Sequence, residues 1–544
     1  MALQQLDNTM GGGHNKAFPL NFSGNLKNDW WKLFIPYLLA FGLMLLNTEG
    51  YYWDDWGAVG GFSLQEMAEQ FIQNGNIWYG YFDWIFISAQ PYGIALFRAF
   101  TFVSFFLCGM LVYEICRSLG LLSKQELFFI TLLFLLLPFN TLSRNVLINS
   151  PYTFCYLLFF VGFYLVSLYV QKKQWFYRLS ALAVLFVAFT MNSLLVFYAL
   201  VLFYLLYMEK AYNTLKDFCK WIIRHIDFIL LPIIFYVIKL SFFKPFGLYE
   251  GYNSVHLSGF LKAFIKTPIF SVLHLAHIGY LLFGVLVFLL IIAGLIMLYI
   301  RFKQKLIEKR DVLGVIIGFM VMFFGMFSYV AVYKYVQFSN LDDRHGILES
   351  LGAACIIVFS LNILLKCNIS KILALSLLSL CAISVNIIAQ TQLFSAYMKQ
   401  VGVFETLMDN PTFLSHDTFL YQGFAGQGIS DESFYQLNGL YKKLSNKSDK
   451  FIALDAQLEE EAVSYCGETP VYNCWEYKGD ISHYGYISIT PTLKEDGLLG
   501  FLSIGKMYLL HLFKPQTFIQ KAKKRYKVLV YPPESNSDSP ASLI

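Results

Sequence analysis

Long apolar runs alternate with short polar connections over the first 400 residues, a pattern that predicts repeated membrane crossings. A helix needs about 20 apolar residues to span the hydrocarbon core of a bilayer. Runs of this character cover 32–47, 93–116, 126–139, 152–170, 178–191, 194–208, 222–241, 278–300, 312–333, 347–365 and 371–395. The third and fifth are short. The stretch 178–208 is apolar throughout and would overrun the bilayer as one helix, so a break is expected at Asn192-Ser193. The fold class that follows is an α-helical polytopic membrane protein of about eleven transmembrane helices, with a tail at 1–31 and a membrane domain over 32–396. The first 29 residues lack a charged start, an apolar stretch and a small-residue cleavage site. No cleavable signal peptide is therefore expected, and the first apolar run is read as a signal anchor.

The connection 48–92 is long and patterned. Ser63-Leu64-Gln65-Glu66 is a capping box that predicts a helix start at Ser63. Phe62, Met67, Phe71 and Ile72 give that helix an apolar side, and Gly75 can end it. The expectation is an amphipathic helix lying on the membrane surface. Trp78, Tyr79, Tyr81, Phe82 and Trp84 follow before the chain turns back at Gln90-Pro91-Tyr92.

From 397 to 544 the pattern changes to polar stretches, glycine-rich turns (Gly423, Gly426, Gly428) and short strand-like runs at 451–454 and 526–531. These predict a small α/β domain. Leu498 to Phe513 is apolar enough to span, but Lys506 at its centre would cost on the order of 3 kcal/mol inside a bilayer. That segment is read as soluble or interfacial.

Composition agrees with the pattern. The chain is 57% hydrophobic and 14% charged, against roughly 25% charged in soluble domains. Basic residues then set the orientation. With the N-terminus inside, the inner connections hold Lys16 and Lys27, Arg117 and Lys124, Lys172, Lys173 and Arg178, Lys210, Lys216, Lys220 and Arg224, Arg301 to Arg310, and Lys366 and Lys371. No Lys or Arg occurs between Leu33 and Phe97. This is the positive-inside alternation, weakest at the connection holding Lys244, Lys262 and Lys266. Eleven crossings place the C-terminal domain outside. The net charge of +5 is spread over many short connections, so no nucleic-acid partner is expected. Seven of the nine cysteines lie in or beside apolar segments without metal-ligand spacing. Cys466 and Cys474 lie in the polar tail, where an oxidising compartment would let them pair.

Candidate chemistry gathers at the predicted outer side. Glu49-Gly50-Tyr51-Tyr52-Trp53-Asp54-Asp55-Trp56 follows the first apolar run directly. Aromatics at headgroup level would partly desolvate the acidic pair and raise the basicity of one carboxylate. A carboxylate of that kind suits a general base for a hydroxyl. Two carboxylates could instead hold a divalent cation such as Mg or Mn, and an ordinary solvated acidic turn is the bland alternative. A second constellation is Lys334 with Asp342-Asp343-Arg344-His345. An Arg fork binds phosphate oxygens bidentately, so Arg344, with His345 and Lys334 beside it, is the candidate phosphate-binding group. The alternative is a surface pair with Asp342 or Asp343. Glu49, Arg98, Arg144, Lys244 and His256 are supporting candidates, and His274 and His277 lie close by in the sequence; each cation among them is read first as interfacial or structural. No phosphate-binding glycine loop, His-Glu-x-x-His run or Gly-x-Ser-x-Gly elbow occurs.

On Trp53-Asp54-Asp55-Trp56, the downstream Gly60-Gly61 and the surface helix of the first long connection, the chain resembles the membrane-embedded GT-C glycosyltransferases. In layout it is most similar to the Gtr-type serotype-converting enzymes that glucosylate bacterial O-antigen. The resemblance in layout covers most of the first 400 residues, while that in sequence is confined to the loop. It implies a transferase of a bacterial inner membrane, using a polyprenyl-phosphate hexose, with glucose the implied sugar, and a lipid-linked glycan acceptor on the periplasmic face. Asp54 or Asp55 would be the base of an inverting reaction, and Arg344 would hold the departing phosphate. A flippase and a polyprenyl-phosphate sugar synthase would work in the same pathway. Two other readings stay open on the sequence. One is an O-antigen polymerase, whose soluble mass typically lies between spans rather than at the end. The other is a transporter or flippase of lipid-linked sugar, which usually places charges midway along its helices.

Overall fold

The computed structural model describes residues 26–59, 63–251, 257–304, 306–338, 340–422, 434–454, 466, 473–479, 483–492 and 497–533. Among the motifs noted above, Gly60-Gly61, Phe62, His256, Gly423, Gly426 and Gly428 lie outside the described residues.

The apolar runs form helices that pack side by side. Among the described residues, six helices are long and apolar enough to cross a membrane, and a bent pair (Leu215–Arg224 and Ile226–Phe242, at 56°) makes a seventh. Shorter apolar helices at Trp30–Leu46, Trp175–Ala188, Leu194–Met208 and Ser350–Leu364 pack among them. Their outward faces are apolar. Leu286–Lys303 leaves Leu289, Ile292, Leu295 and Ile296 exposed along its length. A continuous exterior of this kind needs an apolar solvent, which identifies a helical membrane protein.

Small residues set one close helix contact. Lys309–Ala331 crosses Ser350–Leu364 at Gly318 and Gly352. A Cβ on Gly352 would lie 2.6 Å from the Gly318 carbonyl oxygen, and one on Gly318 would lie 2.9 Å from that of Gly352. Side chains at either position would push the backbones apart.

The two ends of the bundle have different chemistry. One end carries ion pairs. Arg310 pairs with Glu126, which also accepts from Asn362 at 2.7 Å. Arg178 bonds Asp227 at 2.5 and 2.8 Å, and Glu209 gathers Lys173, Arg224 and His225. The other end carries the connections 48–92, 137–149 and 332–349, interlocked by backbone and carboxylate contacts described below.

Two runs fold differently from the sequence expectation. The run 278–300 is not one helix. Leu257–Phe283 ends at Gly284, whose φ is +56°, and Leu286–Lys303 starts again after it. A left-handed glycine closes a helix, but Gly284 is embedded in apolar sequence that hid the stop. Much of the supposed connection 242–277 is therefore helical. Gly259 touches Ala331, Phe264 packs on Phe327 at 4.9 Å, and His274 bonds Glu349 at 2.8 Å. All these partners lie at the site end of the bundle. The last apolar run is likewise part of a longer helix, Asn368–Met408, of 41 residues. At 1.5 Å per residue it is about 60 Å long, twice a hydrocarbon core. The boundary expected at 396/397 falls inside it, so one rigid rod joins the bundle to the C-terminal unit. The break expected at Asn192-Ser193 falls in the turn between Trp175–Ala188 and Leu194–Phe197.

The C-terminal unit holds a small mixed sheet: β1 (Thr418–Gln422), β2 (Phe451–Ala453), β3 (Gly485–Pro491) and β4 (Tyr526–Tyr531). The order is β2-β1-β3-β4, with β1 parallel to both neighbours and β3 antiparallel to β4. Phe419, Ile452, Ile487 and Ile489 pack with Val403, Phe404 and Leu407 of the long helix, which ties the sheet to the rod. Helix Gly497–Phe513 lays Met507, Tyr508 and His511 on the same rod and leaves Leu502, Leu509 and Phe513 exposed. Its Tyr508 ring stacks on Phe394 at 3.6 Å. Cys466 and Cys474 are joined in a disulfide.

Candidate functional site

Two Asp-Asp pairs, 288 residues apart in sequence at Asp54 and Asp342, meet at the site end of the bundle. In each pair the second aspartate is sealed and fastens the same connection. Asp55 is fully buried at the start of helix Asp55–Val59. Its Oδ2 accepts from the Tyr52 N–H at 3.1 Å and its Oδ1 from the Ile148 N–H at 3.1 Å. Asp343, also buried, accepts from the N–H groups of Leu142 at 2.8 Å and Ser143 at 2.9 Å. The connection 142–149 is thus pinned at both ends by carboxylates from two other connections. Burial pushes each of these carboxyls up to about 7, against the lowering effect of the N–H bonds. The capping box at Ser63 and Glu66 is present, and helix Leu64–Gln73 packs on Tyr79–Ser88 through Met67, Ala68 and Gly80.

Removing either clamp leaves two buried N–H groups without acceptors, each worth about 1–3 kcal/mol. Asp55→Ala and Asp343→Ala are therefore expected to destabilise the folded protein by several kcal/mol, read as a lowered melting temperature of the detergent-purified chain. A melting point equal to wild type in both would show that the clamps carry no stability.

The first aspartate of each pair faces Arg344. Asp54 is half-buried, and its Oδ1 accepts from the Tyr435 hydroxyl at 2.9 Å. Arg344 lies over the ring of Trp53, the residue before Asp54, at 4.5 Å. Its Nη2 is 3.7 Å from Asp342, and its Nη1 donates to the Asn149 side chain at 3.5 Å. Trp53 has φ 51°, a left-handed backbone that bulky residues seldom adopt. The Asp55 clamp holds that turn, with the Asp55, Trp56 and Gly57 N–H groups bonding back to Tyr52, Trp53 and Asp54. Burial raises the Asp54 carboxyl above the ordinary range; Arg344 and the Tyr435 hydroxyl pull it back down, and Asp342 pushes it up.

Tyr435 reaches Asp54 because helix Phe434–Ser445 comes unusually close. A Cβ on Gly439 would lie 2.9 Å from the Trp56 ring and 3.0 Å from the Asn473 amide. Asn473, fully buried beside the disulfide-bonded Cys474, donates to the carbonyls of Trp56 at 2.9 Å and Tyr435 at 3.1 Å. Nothing in the local sequence around Tyr435 or Asn473 marks them as site residues, because both reach the loop only through the tertiary fold. Asn149 sits in a connection already noted for Arg144, and only the Arg344 contact gives it a role.

The other sequence candidates take varied places. Arg98 is fully buried and donates to the Gly50 carbonyl at 2.5 Å, with its guanidinium 5.7 Å from the Tyr52 ring centre; it holds the 49–56 segment from below. Arg144 is sandwiched by Phe41 and Phe105 at 4.3 and 4.0 Å and bonds Asn140. Glu49 accepts from the Tyr397 hydroxyl at 2.9 Å. Lys244 is exposed on the segment 243–251, which packs on helix Leu64–Gln73. His345 is buried, its ring 5.0 Å from that of Tyr329, and burial with the neighbouring cations pushes its pKa down to about 3. It is therefore neutral at ordinary pH and cannot add charge to Arg344. Lys334, His345, His274 and Glu349 line a small cavity of about 10 Å³. Of the three expected phosphate-binding residues, only Arg344 lies at the Asp54 cluster.

The residues present do not fit a metal bridged by Asp54 and Asp55. Asp55 is sealed with each oxygen engaged by a backbone N–H, and among the described residues no group of three His, Cys, Asp or Glu side chains converges as ligands. What the cluster does offer is one half-buried carboxylate of raised basicity beside one guanidinium, a combination that can take a proton and hold an anion in the same space. No family model, curated protein or solved structure matches this chain.

Proposed function

We propose that the protein is an inverting glycosyltransferase of a bacterial inner membrane, moving a hexose from a polyprenyl phosphate to a surface glycan such as O-antigen. The observation that carries this reading is the meeting of Asp54 and Arg344 in one cluster at one end of a membrane-embedded bundle. In this reading the chain crosses the membrane eleven times, with Leu286–Lys303 as the eighth crossing. The ion-paired end is cytoplasmic, and the end bearing Asp54 and the C-terminal unit is periplasmic.

Asp54 takes the proton of an acceptor hydroxyl. The oxygen so freed attacks the anomeric carbon as the bond from that carbon to the phosphate oxygen breaks, which inverts the configuration. The phosphate departs with the electron pair onto Arg344, whose fork matches its oxygens. Asp342 and Asn149 aim the guanidinium, and Asp55 aims Asp54. Asp54 is the residue of the pair with room to act, since Asp55 has no surface to offer.

Because burial raises the Asp54 carboxyl, the acid limb of the rate should lie above the ordinary carboxylate range, with activity lost as pH falls through it. Tyr435→Phe removes a hydrogen bond that favours the charged form, so it is expected to move that limb to higher pH and slow transfer roughly 2–10-fold. A pH–rate profile identical to wild type would remove Tyr435 from the site. The reading as a whole is tested by comparing surface polysaccharide with and without the protein. Loss of one hexose per repeat supports it; an altered chain length with unchanged repeats, or unchanged glycan, overturns it.

A further inference from the structure

The segment that carries Asp54 also walls a second cleft. Glu49 and Trp56 line it from this segment, Gln400 and Glu405 from the far end of the long helix, and Lys443 from helix Phe434–Ser445. Asp54, Asp342, Arg344 and Tyr435 are not among its walls. The cleft has room for about 130 Å³, close to the roughly 150 Å³ of an apolar cavity that takes benzene, so it fits a single ring. It is roofed by elements from both halves of the chain: the connection after the first helix, the rod and the C-terminal unit.

Its chemistry is mixed. Glu49 and Glu405 set two carboxylates against the single ammonium of Lys443, whose Nζ lies 4.8 Å from the Tyr51 ring centre. That balance disfavours an anion, so a phosphate belongs at Arg344 and not here. Gln400 adds an amide, which donates to the Tyr51 carbonyl at 3.4 Å. Val401, Leu444, Pro515 and Ile519 give an apolar wall, while the Trp56 ring is itself buried against Tyr51 and Gly439. Acceptors, donors and an apolar wall together match an uncharged polyhydroxylated ring, which presents hydroxyls at its rim and C–H groups on its faces.

We propose that this cleft is a saccharide-binding site and that it seats the acceptor glycan. Its role as an acceptor site rests on the glycosyltransferase reading; its affinity for sugar does not. The glycan would be held by the same 49–56 segment that presents Asp54, so one loop would register acceptor and base.

The test is saturation-transfer NMR on the full chain in nanodiscs, with the methyl glycosides of glucose, galactose, rhamnose and N-acetylglucosamine as probes. Transfer to at least one glycoside is expected, with at least a tenfold loss of affinity in Glu405→Gln and in Lys443→Met. Melting curves of both variants identify a folded one to use, and Lys216→Met, exposed at the ion-paired end of the bundle, serves as the control that retains binding. No transfer to any of the four glycosides overturns the proposal, as does transfer that survives both cleft variants or is lost in Lys216→Met. Sugar binding that depends on Glu405 in a protein without transferase activity would leave the site standing and remove the enzymatic reading, so the two failures are distinguishable.

Discussion

Asp54→Asn is expected to lower hexose transfer from a polyprenyl-phosphate donor by roughly 10²–10⁴-fold, the usual contribution of a positioned general base. Asparagine keeps the shape of the side chain and can still accept from the Tyr435 hydroxyl. What it loses is the ability to take a proton. The protein should therefore remain at wild-type abundance and melt at the wild-type temperature, and donor binding should be retained because Arg344 is untouched. Asp55→Asn is expected to behave differently. An amide there presents an N–H₂ group to one of the two backbone N–H groups that the carboxylate now satisfies. The clamp on Ile148 or Tyr52 is broken, and both stability and rate fall together. Initial rates with a radiolabelled donor, paired with melting curves, separate the two cases. Wild-type transfer in Asp54→Asn would remove it as the base.

Arg344→Ala is expected to cost roughly 10²–10³-fold in rate, comparable to removing a preorganised donor that stabilises developing negative charge. The guanidinium is held on the Trp53 ring, with Asp342 and Asn149 at its edges, so its position is fixed before the phosphate departs. Lysine keeps the charge but not the fork, and Arg344→Lys should recover only part of the loss. A second effect follows from the charge balance. Arg344 lowers the Asp54 carboxyl while Asp342 raises it. Without the arginine, two carboxylates face one another uncompensated, and the acid limb of the pH–rate profile should move to higher pH. Lysine at 344 should restore the limb more fully than the rate. An alanine variant with an unmoved acid limb would show that Arg344 does not act on Asp54.

His345 shows why residue type alone was insufficient. Beside Arg344 in sequence, it read as a second cation for the phosphate. In a short 3₁₀ turn over Leu341–Gly346, neighbouring side chains diverge, so His345 enters the core beside Tyr329 while Arg344 points to Trp53. Burial then keeps the imidazole neutral. The same divergence splits Asp342 from Asp343 and Asp54 from Asp55. Two adjacent aspartates cannot share a direction in a tight turn, and in each pair one is consumed as a clamp.

The amino-acid sequence by itself determined the membrane class, the helix after Ser63, the break near Asn192-Ser193 and the loop that bears Asp54. These follow from local signals: hydrophobic length, a capping box, and charge placed next to an apolar run. It could not reveal the stop at Gly284, since a helix end inside continuous apolar sequence leaves no hydropathy mark. Nor could it divide labour between Asp54 and Asp55, because spacing is blind to which carboxylate meets a backbone N–H 93 residues away. The tertiary structure sealed Asp55 and left Asp54 half-buried, brought Tyr435 across 381 residues to Asp54, and built the Glu49–Glu405 cleft from three separate elements. The physical reason is the same in each case. A side chain takes its protonation, its partners and its direction from groups that only the folded chain places beside it.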